Sequence, residues 1–290
     1  MTVPIFSVVL VSASILSGLL ILLSLPSFDL GFLAWVGLSP LFFALRQRGP
    51  LTASALGFLF GCVFGAGTFY WLNVLPFVTP LRFLLMIAAG SIFYLVFGLL
   101  YNLTTRASTS WAIVGGPAAW VVLEYARANA DFLSLPWNFL AHSQYRYLSL
   151  IQIVDVTGAY GVSFLIAMVN QLLSQIPDLL IGRERGRVRA VRIVGSLWAI
   201  HLSLVMTVLA GTLLYGWHRL AAPEHGQHLR VALVQGNLRP RNGMSSRDQM
   251  EHLRTYERLT RQAARENPDI IVWPSSSLPA HSSSGLCDSM

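Results

Sequence analysis

Long apolar runs separated by short polar joints fill the chain to about residue 217, and then the pattern changes. Seven runs are readable, at residues 5–25, 28–45, 51–75, 81–103, 111–125, 158–181 and 193–217. Most approach the ~20 residues that a helix needs to cross ~30 Å of hydrocarbon; the second and fifth are short. After Leu229 the period shortens. Residues 230–234 form a β-rich run, and Gln235-Gly236-Asn237 is a turn signal. Met250, Leu253, Tyr256, Leu259 and Ala263 then recur at helical spacing. Ser245 or Ser246 is placed to cap that helix, with Asp248 or Gln249 three residues on, and Asn267-Pro268 ends it. Ile270-Ile271-Val272-Trp273 is a second strand. A strand–helix–strand unit of this size predicts parallel strands, with any site beyond their carboxyl ends, at 235–237 and 273–277.

Composition strengthens the membrane reading. Of 290 residues, 54% are hydrophobic and 11% charged, where a soluble domain carries about 25% charged residues. Mean hydropathy is +0.58. The first run is no signal peptide: it lacks a basic start, its apolar core is too long, and no A-x-A site precedes Phe28. The net charge of +7 is explained by topology, and without a reading motif nucleic acid is not an expected partner.

The arginines orient the bundle. Arg46, Arg48, Arg106, Arg183, Arg185, Arg187, Arg189 and Arg192 all follow the second, fourth and sixth runs. The positive-inside rule places these loops and the amino terminus in the cytoplasm. Seven crossings then put the terminal α/β segment outside, which in a bacterium means the periplasmic side. Contact with lipid headgroups accounts for the 183–192 cluster.

Few residues within the bundle carry chemistry. Glu124 and Arg127 stand three apart near the end of the fifth run. They are either a functional intramembrane carboxylate with its partner or an interfacial pair anchoring the helix end, and the spacing favours the pair. His201 has no second ligand at useful spacing and reads as a helix–helix hydrogen bonder. The loop at 132–144 is long and aromatic, suited either to lining a lipid cavity or to anchoring at the headgroups. Cys62 reads as a small core residue; with Cys287 it is too little for a disulfide framework or a Cys-rich metal site. No cofactor and no metal are expected.

Several separated motifs, in order, resemble the apolipoprotein N-acyltransferase family. They are Glu124-Tyr125-Ala126-Arg127, Leu135-Pro136-Trp137, Ser143-Gln144, Leu150-Ile151-Gln152 through Thr157-Gly158-Ala159-Tyr160-Gly161-Val162-Ser163, Val231-Ala232-Leu233-Val234-Gln235-Gly236-Asn237 and Asp269-Ile270-Ile271-Val272-Trp273-Pro274. The resemblance runs to about Ala280. It implies an α-helical integral membrane bundle of about seven transmembrane helices, followed by an incomplete α/β nitrilase-like (αββα) segment. The expected divisions are a transmembrane domain at 1–220, an amino-terminal fragment of a nitrilase-like domain at 229–280, and an unrelated tail at 281–290.

The resemblance also implies partners and chemistry: an acyl chain moves from a phospholipid to the α-amino group of a diacylated lipoprotein, in contact with membrane lipids. A Cys attacks the ester, a Glu is the general base, and a Lys stabilises the oxyanion. The family's Glu follows Trp-Pro, and here Ser275 occupies that position. All twenty cationic residues are Arg, so no Lys is present. Cys287 lies too soon after Ser275 to be the nucleophile, and Met244 is near the place where the family often has a Trp. No catalytic residue is therefore assigned. The chain is expected to be a truncated copy, inactive as it stands. The alternatives are a non-catalytic membrane scaffold or lipid- or partner-binding protein and, less favoured, a small transporter.

Overall fold

The computed structural model describes the chain apart from residues 1–2, 47, 76, 108–109, 132–133, 178–187, 224–225, 227, 239–245 and 275–290. It divides into two compact units, Met1–Ala222 and Pro223–Met290.

The first unit is a helical bundle. Its helices are α1 (Val3–Ser24), α2 (Ala34–Gly37), α3 (Ser39–Leu45), α4 (Pro50–Thr68), α5 (Pro80–Ala107), α6 (Ala112–Ala128), α7 (Leu148–Ile151), α8 (Val154–Leu173) and α9 (Val188–Ala221). Among the described residues, five helices are long and apolar enough to cross a membrane: α1, α4, α5, α8 and α9. The molecule is a multi-pass membrane protein. The remaining two of the seven predicted runs are shorter. The fifth is the 17-residue α6, about 25 Å at 1.5 Å per residue.

The second run is broken into a 3-10 turn (Gly31–Leu33), α2 and α3, and Pro40 is the reason. It has no N–H for the Val36 carbonyl, and the Ser39 hydroxyl donates to that oxygen instead, at 2.7 Å. The break is held by other helices. Asn170 of α8 accepts from Leu38 N–H (2.8 Å) and Ser39 N–H (2.9 Å), and donates to the Ala34 carbonyl (2.8 Å). Ser17 of α1 donates to the Gly37 carbonyl (2.6 Å) and accepts from Leu41 N–H (2.9 Å). In hydrocarbon such groups have no water to turn to, so these side chains make the break tolerable.

Helix association in lipid rests on close packing rather than on escape from water. Here α4 lies along α5 with glycine at the contact. A Cβ on Gly57 would collide with the Tyr94 carbonyl oxygen, and one on Gly98 with that of Ala53. Beside this seam an aromatic core forms, with Phe97 edge-on to Trp120 (5.1 Å) and Phe42 stacked on Tyr101 (4.8 Å). At the other end of the bundle, the Asp155 carboxylate on α8 accepts from the Tyr215 hydroxyl of α9 (2.8 Å) and pairs with Arg219 (3.2 Å).

The second unit contains β1 (Val231–Leu233), α10 (Ser246–Ala264) and β2 (Ile270–Val272). The strands pair in parallel, Val231 with Ile270 and Leu233 with Val272. Asn267 has φ 49°, a left-handed turn before Pro268 that lets the chain leave the helix. Tyr256 of α10 is buried, stacks on Trp273 (5.1 Å) and lies against Gly236. Trp273 donates to the Thr260 hydroxyl at 2.9 Å. Val231, Leu233, Ile270 and Val272 are exposed.

Candidate functional site

Helix α6 brings Glu124 and Arg127 to the same level of the bundle, and both are buried. No ion pair joins them. Each is used by different neighbours, because the following loop folds back over the helix end. Leu135 N–H returns to the Arg127 carbonyl at 2.9 Å, and the Ser134 hydroxyl bonds the Ala128 carbonyl. The Arg127 guanidinium donates to the Tyr94 hydroxyl of α5 (2.6 Å) and to the carbonyls of Trp137 (2.6 Å) and Asn138 (3.3 Å). Its carbon sits 5.8 Å from the ring centres of both Tyr94 and Phe139. One oxygen of Glu124 accepts from the Trp120 indole (2.9 Å) and from Leu140 N–H (2.8 Å). Thus Arg127 ties down the loop backbone at 137–138, and Glu124 ties down the 3-10 turn Leu140–Gln144 that follows.

That turn enters the bundle rather than lying on its surface. Leu140, Ala141, Ser143 and Gln144 are buried. Ala141 N–H donates to the Ser163 hydroxyl of α8 (3.1 Å). Gln144 donates to the Gly31 carbonyl (2.8 Å) and accepts from the Trp35 indole (3.0 Å). Phe139 lies against His142 (5.1 Å) and Tyr160 (5.5 Å). Tyr160 stands just past Gly158, whose φ of 64° breaks the helical run of α8. Burial pushes the His142 imidazole below its ordinary range, with Arg127 adding to the effect.

Beside this clamp lies a cavity of about 230 Å³ between α4 and α5. Phe64, Gly65, Ile87, Gly90 and Phe93 are among its apolar walls, while Tyr94, Arg127 and Leu135 also contribute. The lining includes one cation and no carboxylate, and the guanidinium Nε has no hydrogen-bond partner. A narrow apolar groove with one guanidinium suits an amphiphile: a hydrocarbon chain carrying an ester or phosphate at one end.

A family profile described as "Apolipoprotein N-acyltransferase N-terminal domain" matches residues 17–172, more than half of the chain. The chain belongs to the apolipoprotein N-acyltransferase family. Among curated relatives named apolipoprotein N-acyltransferase, that of Geobacter metallireducens is 36% identical over 277 residues, covering 92% of this chain and 51% of its own length. That of Chlorobaculum tepidum is 30% identical over 277 residues, covering 91% and 48%. In Treponema denticola, apolipoprotein N-acyltransferase 1 is 26% identical over 270 residues, covering 90% and 47%. The chain spans about half the length of the curated relatives it matches.

Within this acyltransferase-family chain, Glu124, Arg127 and the aromatic loop converge as a single clamp. His201 lies apart, with Nδ1 3.4 Å from the Gln175 side-chain oxygen beyond the end of α8. Among the described residues no group of three His, Cys, Asp or Glu is placed to hold a metal. Cys62 is half-buried and free. Ser275, Cys287, Met244 and the 281–290 tail lie outside the described residues, as do Arg183, Arg185 and Arg187. Tyr94 and the glycine-lined seam were not anticipated. A signal for the seam exists in Gly57, Gly61 and Gly65, small residues spaced by four along an apolar helix.

Proposed function

We propose that the helical unit of this acyltransferase-family chain binds a phospholipid, with an acyl chain between α4 and α5 and the polar ester and phosphate region at Arg127. The cavity with its single guanidinium carries this reading. In the family reaction that acyl chain passes to the α-amino group of a diacylated lipoprotein, and the clamp formed by Glu124 and Arg127 gives the lipid-facing loop a fixed position. The arginine distribution supports a bacterial inner-membrane protein with a cytoplasmic amino terminus and a periplasmic second unit. We read residues 1–220 as the transmembrane domain and 229–280 as nitrilase-like sequence. The exposed apolar side chains of Val231, Leu233, Ile270 and Val272 support the second assignment, because a sandwich of layers buries such a face against another sheet.

By themselves, the 290 residues do not complete the reaction. Ser275 follows Trp273-Pro274 where a general-base carboxylate is required, and no lysine is present for the oxyanion. This favours, as a second reading, a lipid-binding membrane scaffold without catalysis. Expression of these 290 residues in cells lacking the enzyme tests the difference, with lipoprotein amino termini read by mass spectrometry. Diacylated termini with a free amine are expected; triacylated termini overturn the assignment of inactivity. Native mass spectrometry of the purified chain tests lipid binding. Retained phospholipid that is lost on Gly90→Leu, which places a side chain in the groove without touching the clamp, supports the groove, and equal retention by both proteins removes it.

A further inference from the structure

The second unit carries a feature that acyl transfer does not use. Arg254, Arg258, Arg261 and Arg265 follow at intervals of four, three and four residues along α10 and the turn after it. At 100° per residue their directions fall within an arc of about 60°. All four are exposed, and together with Glu257 and Gln262 they line one shallow surface groove. Tyr256, Thr260 and Ala263 project from the opposite side of the helix, where Tyr256 and Thr260 meet Trp273. The side of α10 that faces its own sheet and the side that carries arginine are therefore back to back.

One carboxylate lies within the stripe. Glu257 pairs with Arg261 at 2.5 Å, so four cations face one anion. Glu251 flanks the stripe and accepts at its backbone carbonyl from Thr255. An exposed ion pair of this kind is weak and exchanges readily. Four like charges held on one helical line repel each other unless an anionic surface meets them. Arginine is the side chain best shaped to take a phosphate with two parallel hydrogen bonds. Met250, half exposed, stands one turn before Arg254 on the same side of the helix and supplies an apolar contact beside the charges.

We infer that this arginine stripe docks α10 onto the anionic phospholipid headgroups of the membrane in which the first unit is embedded. The chain itself argues for a membrane over an acidic protein. Membrane helix α9 ends at Ala221 and α10 begins at Ser246. That joint reaches at most about 85 Å even when fully extended, so headgroups are always present at high local concentration.

The experiment uses the full chain in nanodiscs, with Cys62→Ala and Cys287→Ser as background and a fluorophore attached through Gln262→Cys beside the stripe. A headgroup-labelled nitroxide lipid serves as quencher. In discs containing phosphatidylglycerol, quenching is expected to exceed that in pure phosphatidylcholine by about five-fold at low salt and to fall to the neutral level at about 0.5 M salt. Combined Arg254→Gln, Arg258→Gln, Arg261→Gln and Arg265→Gln should reduce it equally, with resistance of residues 246–264 to limited proteolysis reporting an intact unit. The lipid-charge and salt dependence of the unsubstituted stripe tests the inference even if that variant misfolds. Quenching indifferent to lipid charge overturns it. So does a label shielded by polyglutamate in neutral discs but unaffected by phosphatidylglycerol, which assigns the stripe to an acidic protein.

Discussion

Arg127 donates to the Tyr94 hydroxyl at 2.6 Å and makes no ion pair with Glu124, one turn before it on the same buried helix end. Two charged groups in the bundle therefore serve as separate anchors for one loop. Replacing Arg127 with Met strands the carbonyls of Trp137 and Asn138 together with the Tyr94 hydroxyl. The expected loss is about 2–4 kcal/mol, visible as a lower unfolding temperature in detergent and faster proteolysis within 128–139. Arg127→Lys keeps the charge but not the fork that reaches three acceptors, and should fall between the two.

Glu124 behaves differently. Its bonded oxygen accepts only from neutral donors, the Trp120 indole and Leu140 N–H. Glu124→Gln retains an acceptor of the same shape, so a change below about 1 kcal/mol is expected. Glu124→Leu removes it and leaves two buried N–H groups unpaired, those of the Trp120 indole and of Leu140, at a cost of about 2–4 kcal/mol. Thermal denaturation of both proteins checks the difference; equal destabilisation would mean that the charge itself is needed.

Asn170 closes the break between α2 and α3 with three hydrogen bonds to backbone. Asn170→Leu keeps the branched four-atom skeleton but frees two N–H groups and a carbonyl in a region without water. A loss of about 2 kcal/mol or more follows. Hydrogen exchange should rise at Leu38 and Ser39 first, before the rest of the bundle responds.

The α4–α5 seam gives a steric prediction with an internal control. Gly57→Ala and Gly98→Ala each drive a methyl into a backbone carbonyl, and overpacking of this kind costs about 1–3 kcal/mol. Gly211→Ala on α9 meets nothing within 4 Å and should be neutral or slightly stabilising, since alanine is the better helix former by about 1 kcal/mol. Melting temperatures of the three variants provide the comparison.

His142 makes the loop sensitive to pH. Burial and Arg127 hold its imidazole below the ordinary value of 6.5, so below that value the unfolded chain binds the proton more readily than the folded one. Stability is complete above about pH 7 and falls as pH drops through 6.5 toward the folded value. Melting temperatures measured from about pH 7.5 down to about pH 5, a range that brackets an unperturbed histidine, should decline. His142→Gln should flatten that slope, and an unchanged slope would assign it to another group.

Much of this was legible along the chain. The spacing of apolar residues located the long helices, and the terminal change of period located two parallel strands around a helix. What the pattern concealed were the polar contacts. Glu124 and Arg127 at a spacing of three have the signature of a surface pair, and nothing local shows that a loop will fold over them. Likewise, Ser39-Pro40 marks a helix boundary, but the partner that closes it is Asn170, more than a hundred residues away.

The sequence by itself determined the membrane character, the strand–helix–strand segment, and the absence of lysine with Ser275 after Trp273-Pro274. These follow from composition and short periods, because burial in lipid and helix or strand geometry act residue by residue. Tertiary structure decided which buried groups satisfy each other, where α4 and α5 leave a cavity, and that the arginines of α10 point away from its sheet. Those outcomes depend on distant segments sharing one interior without water, where every polar group takes whichever partner the packing brings within reach.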